Sequence, residues 1–341
     1  MSLSSMQRMQ QESEAPATIL TKELSIIIVN WKSCDFLRQC IESVYANDQG
    51  LNFEVIVVDN ASYDGAKQML AEKFPEVLYV QSDKNLGFAL ANNLGFEHSA
   101  GRNLLFLNPD TQVMGNALAR LDSVLNSTPD AGIVGARLLN ADSSLQTSCV
   151  QAFPSVWNQL LDAETLRQRF PGASIWGTQA FSELLPGVSP VEAISGACLM
   201  IKRDLFKTVG GFSSDYFMYS EDIDLCFKAM KAGLKNYYIN DAVVMHYGGQ
   251  SSGAKPESNF AVIMTRESVR RFFEIRRGRS QAILYQVTMG FAAICRIFLI
   301  GGVLLITGGR YRREALGNAL KKWVSVLRWS IGLETWVKKP T

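Results

Sequence analysis

Leu24-Ser-Ile-Ile-Ile-Val-Asn30 is a short run dominated by β-branched residues that stops on an asparagine. A continuous apolar run, rather than an alternating one, belongs to a strand covered on both faces. Outward from it, Asp35 to Tyr45 carries Leu37, Ile41 and Val44 on one helical face. The strand pattern recurs at Phe53 to Asp59, and a helix begins near Ser62. Strand and helix then alternate through Val77 to Gln81, Phe88 to Ser99, Asn103 to Leu107 and Asn116 to Asn126. This order predicts an α/β sheet built from β-α units.

The predicted strands end on polar residues: Asn30, then Asp59 and Asn60, then Asn108 and Asp110. Ligands of open α/β sheets lie at the carboxyl ends of the strands, so these residues share one rim. No Gly-rich dinucleotide fingerprint follows the first strand, and no phosphate loop ending in Gly-Lys-Ser/Thr is present. Hydride transfer and ATP hydrolysis thereby lose their usual sequence support. Residues 140 to 190 break the rhythm with Pro154, Pro171, Gly172, Pro186, Gly187 and Pro190 around Phe153, Trp157, Phe170 and Trp176; long insertions of this kind often carry function. No internal repeat is visible.

The chain has 341 residues, 47% hydrophobic and 19% charged, enough for a sizeable core. Residues 1 to 23, rich in Ser, Gln, Glu and Met, offer little to bury and read as a loose tail. No charged start with an apolar stretch and cleavage site precedes the sheet, so the catalytic part is expected in the cytosol. The six cysteines follow no paired spacing and read as reduced core residues. Charge is uneven. Residues 1 to 261 hold 19 Lys and Arg against 28 Asp and Glu, whereas residues 262 to 341 hold 15 against 4. Such asymmetry implies an acidic half in solution and a basic half against an anionic surface.

Three constellations carry chemistry. Asn108-Pro-Asp110 is an acidic turn at the sheet rim, where a carboxylate can hold a hard divalent cation beside substrate phosphates; the tripeptide alone is an ordinary turn. Ser220-Glu-Asp-Ile-Asp224 starts a helix, and Ser or Asp capping explains one or two of its acids. Three acids after Tyr216, Phe217 and Tyr219 point to a carboxylate facing a ligand, as general-base chemistry requires. His246 follows the apolar run Ala242 to Met245 and precedes Tyr247-Gly-Gly249, which places it at a strand end, where a lone histidine is more often structural; combined with Asp110 it becomes a candidate second metal ligand.

Six segments in order, Ser25-Ile-Ile-Ile-Val-Asn-Trp31, Val57-Val-Asp-Asn-Ala-Ser62, Asn85-Leu-Gly-Phe-Ala-Leu-Ala-Asn-Asn-Leu-Gly95, Leu107-Asn-Pro-Asp110, Ile194-Ser-Gly-Ala197 and Ser220-Glu-Asp-Ile-Asp-Leu225, resemble glycosyltransferase family 2, particularly its bacterial rhamnosyltransferase-like branch. The resemblance covers roughly residues 24 to 250. It implies a GT-A fold, a Rossmann-like nucleotide-diphospho-sugar domain, and inversion at the sugar carbon. It implies that Asp59 contacts the nucleobase, and that Asn30, Asn60, Asn85, Gly87, Asn93 and Asn108 line the donor site. Ser195, Gly196 and Trp176 are expected on the acceptor side, and Asp110 and His246 at Mg2+ or Mn2+. Asp222 matches the catalytic base, with Glu221 as the alternative. Asn108 stands where the family's metal motif commonly has its first acid, a departure that weakens direct coordination by that side chain.

Ile283 to Ile306 is almost wholly apolar, with Arg296 near its centre and basic residues on both flanks. Its length suits a membrane span, but a charge at mid-bilayer costs roughly 2.5 kcal/mol or more. A monotopic helix on the membrane surface is favoured over a span, a hairpin or a buried soluble helix, and Trp323, Trp329 and Trp336 among lysines and arginines fit an interface. Nucleic acid is a poor partner for basic groups that border an apolar segment. The expected organisation is a tail over 1–23, a GT-A domain over 24–255 and a basic, membrane-associating helical region over 256–341. The expected activity is transfer of a sugar, rhamnose favoured, from a dTDP or UDP donor to a lipid-linked saccharide at the cytoplasmic face of the inner membrane, for cell-surface polysaccharide. The rival is a catalytically silent nucleotide-sugar-binding module that recruits partners. A processive synthase is disfavoured, because Ser325 stands where the Gln-x-x-Arg-Trp motif needs glutamine.

Overall fold

The computed structural model describes residues 21–47, 50–161, 185–248, 259–307 and 313–338. Strand β1 (Lys22–Asn30) pairs in parallel with β2 (Phe53–Asp59) on one side and β4 (Gly101–Leu107) on the other, and β3 (Leu78–Gln81) extends the row beyond β2. The register sets Asn30 beside Asp59 and Ile28 beside Leu107, so neighbouring strands deliver their polar ends to one edge. The intervening helices α1 (Cys34–Ala46), α2 (Ala66–Lys73) and α3 (Gly87–Glu97) cover the sheet, α1 through Leu37, Cys40, Ile41 and Val44. Ile26, Ile27, Ile28, Val57 and Leu105 are wholly buried between these layers, each burial contributing about 1.5–3 kcal/mol. β1 starts at Lys22 rather than residue 24. The Lys22 backbone is in register with Gly101 and the Glu23 N–H donates to Asn52, pairing that needs no apolar side chain.

Beyond β4, with α4 (Ala117–Ser127), α5 (Val156–Leu161) and α6 (Arg203–Thr208) among its connections, the sheet becomes mixed. β10 (Cys198–Lys202) lies antiparallel between β4 and β6 (Ala131–Leu139). β11 (Lys235–His246) runs parallel to β6, and both β5 (Thr111–Val113) and β8 (Val188–Val191) pair antiparallel with it. β7 (Val150–Gln151), inside the segment read as irregular, forms a separate ribbon with β9 (Ala193–Ile194), just beyond it. The β5–β11 pairing sets His246 opposite Thr111, beside the turn after β4.

The basic region forms three helices, α8 (Asn259–Arg277), α9 (Arg279–Ile306) and α10 (Arg313–Ser330), around a second core that includes Met264, Phe273, Tyr285, Met289 and Trp329. Helix α9 buries Ala282, Tyr285, Met289, Ala292 and Ala293 and turns Ile283, Leu284, Val287, Phe291, Phe298 and Leu299 outward. By length and composition it could cross a membrane. It passes Gly290, Gly301 and Gly302 unbroken. Arg296 does not lie on its bare face: the guanidinium stacks 4.2 Å from the Trp323 ring and donates to the Leu160 carbonyl at 3.2 Å. The sheet and helical parts are tied where Phe272 packs on Phe153 and Phe227, and where Arg276 Nη2 meets Asp224 Oδ2 at 2.9 Å. The expected boundary at 255/256 falls outside the described residues. All six cysteines are free, but Cys295 is exposed on α9, unlike the core residue expected, because it lies off that helix's packed face.

Candidate active site

At the ends of β1 and β2 the expected donor residues form a dense hydrogen-bonded rim. Asp59, 1% exposed, accepts from the Ser62 N–H at 2.7 Å and from Asn30 Nδ2 and Gln81 Nε2, both at 3.2 Å. Asn30 also donates to Asp64 at 3.2 Å and accepts from Ser33 Oγ at 3.0 Å. Burial raises the Asp64 carboxyl, but donation from Ser62, Asn30 and the N–H groups of Ala66 and Cys34 outweighs it and holds the group below the usual carboxylate range. Asn60 Oδ1 accepts the Leu86 N–H at 2.7 Å while its Nδ2 donates to Asn85 Oδ1 at 2.8 Å, which fixes the loop entering α3. Gly87, at φ +76°, lies so close to Phe217 that a Cβ would collide with its carbonyl oxygen. Asn93, expected with this group, is engaged elsewhere: its amide donates to Phe212 O at 2.8 Å and accepts the Phe212 N–H at 2.9 Å.

The expected metal pair comes together through strand pairing. His246 Nε2 stands 3.4 Å from Asp110 Oδ1 and 3.2 Å from Asn108 Nδ2, although Asn108 and His246 are 138 positions apart. A relay fixes the histidine. Asn140 Nδ2 donates to Ser144 Oγ, so Asn140 Oδ1 accepts from Gln146 Nε2 at 3.1 Å, and Gln146 Oε1 faces His246 Nδ1 at 2.7 Å. That acceptor calls for the proton on Nδ1, leaving the Nε2 lone pair to accept from Asn108 Nδ2 or, with that amide displaced, to face a cation beside Asp110. Two electron-rich atoms at this separation accommodate a shared cation, and an oxygen with an imidazole nitrogen suits Mn2+. Among the described residues no third His, Cys, Asp or Glu joins them, so the substrate's phosphates and water would complete the coordination.

The third group sits at the N-terminus of α7 (Glu221–Lys231). Tyr219 and Ser220, with φ of 72° and 64°, are consecutive non-glycine residues in the left-handed region, and strain of this kind collects at functional sites. Ser220 makes no side-chain cap, contrary to the capping reading. Asp224 is structural: wholly buried, it accepts from Ser213 Oγ at 2.6 Å and pairs with Arg276. Asp222 lines the open cavity and accepts from the N–H groups of Gly196 and Ile223, both at 2.8 Å. Burial raises its pKa, and these two donors oppose that rise. A Cβ on Gly196 would stand 3.3 Å from the Asp222 Cβ, tighter than ordinary contact, so glycine keeps this seat open. Glu221 is 6% exposed, its Oε2 has no hydrogen-bond partner, and burial with the neighbouring Asp222 charge pushes its carboxyl well above the usual range. Burial and the Asp222 charge thus push Glu221 upward without a donor to answer its Oε2, whereas two backbone N–H groups favour the charged form of Asp222.

One cavity of 660 Å³ collects these groups: Asn60, Asn85, Gly87, Asn108, Ser195, Gly196, Glu221, Asp222 and His246 all line it. Asn30, Asp59, Asn93 and Asp110 are not among its lining residues: the side chains of Asn30, Asp59 and Asn93 are spent on hydrogen bonds beneath the rim, and buried Asp110 stands behind His246. Trp176 lies outside the described residues. The reading from sequence did not single out Gln146, Asp64 or three cavity residues from the helical elements, Gln159, Arg266 and Lys322.

Residues 25–210 match the sequence profile of glycosyl transferase family 2. An N-acetylglucosaminyl-diphospho-decaprenol L-rhamnosyltransferase of Mycobacterium tuberculosis is 31% identical over 255 residues, covering 71% of this chain and 81% of the relative. Rhamnosyltransferase WbbL of Escherichia coli K12 is 26% identical over 232 residues, covering 65% of this chain and 82% of the relative. Among solved structures, the mannosyltransferase PcManGT of Pyrobaculum calidifontis, in complex with GDP-Man and Mn2+, matches with a TM-score of 0.57 at 18% identity, over 98% of this chain and 94% of that one, a likeness of fold. The mixed sheet with its polar rim is thus a GT-A fold, and the chain belongs to glycosyltransferase family 2, on its rhamnosyltransferase-like branch.

Proposed function

We propose that this glycosyltransferase moves a sugar, rhamnose by analogy with its relatives, from a dTDP or UDP donor to a saccharide carried on a lipid diphosphate, with inversion. The observation that carries the reading is the shared cavity, in which Asp222, seated by Gly196 and Ile223, faces the same space as His246 and Asn108. Asp222 takes the proton of an acceptor hydroxyl as its oxygen attacks the anomeric carbon. The bond from that carbon to the donor diphosphate breaks, and its electron pair leaves with the nucleoside diphosphate. Asp110 and His246 would hold Mg2+ or Mn2+, which when bound offsets charge on the diphosphate. Asn60 and Asn85 shape the donor side, with Asp59 supporting its nucleoside end from below. Turnover of nucleotide sugars with Mn2+ in wild type and Asp222→Asn tests the reading. Equal turnover removes the base, and donor binding without turnover on any acceptor favours the silent module.

The acceptor's lipid suggests where the enzyme works. The bare apolar face of α9 and the excess of basic residues beyond 261 suit a helix lying on an anionic membrane at its cytoplasmic face. Full-length protein should sediment with anionic vesicles and less with neutral ones. Protein that stays in the supernatant with both overturns the membrane placement.

A further inference from the structure

The cavity has a sheet wall and a helical wall, and the helical wall carries positive charge. Arg266 of α8 and Lys322 of α10 both line it, together with Gln159 of α5 (Val156–Leu161). Other arginines of α8 are committed to carboxylates: Arg270 and Arg271 to Glu267 and Glu274, and Arg276 to Asp224. Among the described residues no carboxylate pairs with Arg266. Its Nη1 instead lies 3.3 Å from Gln159 Oε1, a neutral partner that steadies the guanidinium and leaves its charge uncompensated. An uncompensated, half-buried arginine in a cavity suits a phosphate, which a guanidinium binds through paired hydrogen bonds.

The same wall is continuous with the apolar helix. Lys322 precedes Trp323, whose ring carries Arg296 of α9, and Arg296 bonds to Leu160, the residue after Gln159. A ligand whose charged part met Arg266 and Lys322 would have α9 packed directly behind that wall.

We propose that Arg266 and Lys322 form a subsite for the diphosphate of a lipid-linked acceptor, distinct from the donor diphosphate at His246 and Asp110. This rests on the lipid-linked reading of the acceptor given above. The subsite holds the diphosphate while the attached saccharide presents its hydroxyl to Asp222 and the lipid leaves along α9.

The test uses full-length protein in detergent and needs no turnover. Farnesyl diphosphate is the probe, titrated into wild type, Arg266→Gln with Lys322→Gln, and Arg266→Lys, with folding checked by circular dichroism. The double variant should bind it about 10- to 100-fold more weakly, the loss expected for charge-assisted hydrogen bonds, while Arg266→Lys keeps part of the affinity. Binding of a nucleotide sugar with Mn2+ should stay within about twofold, because its diphosphate belongs to the sheet wall. An equal loss of nucleotide-sugar binding assigns the cations to the donor and overturns the proposal. Inorganic pyrophosphate binding as tightly as farnesyl diphosphate overturns the lipid part. Diphosphate binding that depends on both cations in a protein that never transfers sugar would keep the subsite and sink the transferase reading. Transfer with an unaltered acceptor KM in the double variant does the reverse.

Discussion

The two acidic regions around the cavity differ in how their carboxylates are answered. At the ends of β1 and β2, both oxygens of Asp59 accept hydrogen bonds, and Asn30 binds Asp59 and Asp64 together. At the start of α7, Glu221 has an oxygen with no partner, and Asp222 depends on two backbone donors on a strained approach. A saturated network makes a rigid mould, whereas a carboxylate buried with few donors is a stronger base than one in water. The first region is built to hold a shape and the second to accept a proton.

The largest expected effect breaks that contrast at Asp222. Asp222→Asn should lower kcat/KM by roughly 10²- to 10⁴-fold, the range for removing a general base, with a much smaller effect on thermal stability, since only one of its two backbone donors loses an acceptor. A variant that unfolded more readily would make Asp222 a structural acid like Asp224. Asp59→Ala should act the other way, lowering unfolding free energy by about 3 kcal/mol because the buried donors of Ser62, Asn30 and Gln81 lose a charged acceptor. Denaturant titration checks it. Unchanged stability would mean that water or a neighbouring group replaces those bonds.

Why some of this was legible from sequence is physical. The strands β1, β2 and β4 were legible because each is buried on both faces, and α1 because it is buried on one, so local pattern and tertiary environment agree. The polar strand ends were legible for the same reason. Which of them reach the cavity was not, since Asn30 and Asp59 are consumed by each other and by Asp64, a carboxylate in no motif. The mixed half depends on long-range pairing: β10 separates β4 from β6, and β5 reaches β11 across the sheet edge. Gln146 orients His246 from a segment whose sequence shows only turns and prolines. The charge of Arg296 suggested a poor membrane helix, yet Trp323 and Leu160, distant in sequence, draw it away from the bare face.

The smallest effect sharpens the comparison through pH. Burial and the Asp222 charge hold the Glu221 carboxyl well above its usual range, so this group takes up a proton on folding. Where the native state binds more protons than the unfolded chain, stability falls as pH rises. The loss begins near the ordinary carboxylate value and is complete above the raised one. Glu221→Gln removes the proton requirement and should stabilise the protein at pH 7 by on the order of 1 kcal/mol, with a shallower decline in stability between weakly acidic and neutral pH. Asp222 also has a raised pKa, so some slope should persist, and the acid limb of kcat/KM should remain above the ordinary carboxylate range. Thermal unfolding across pH, paired with a pH–rate profile, separates the two acids. If Glu221→Gln abolished the acid limb and left the stability profile untouched, the proton would belong on Asp222 and the base would be Glu221.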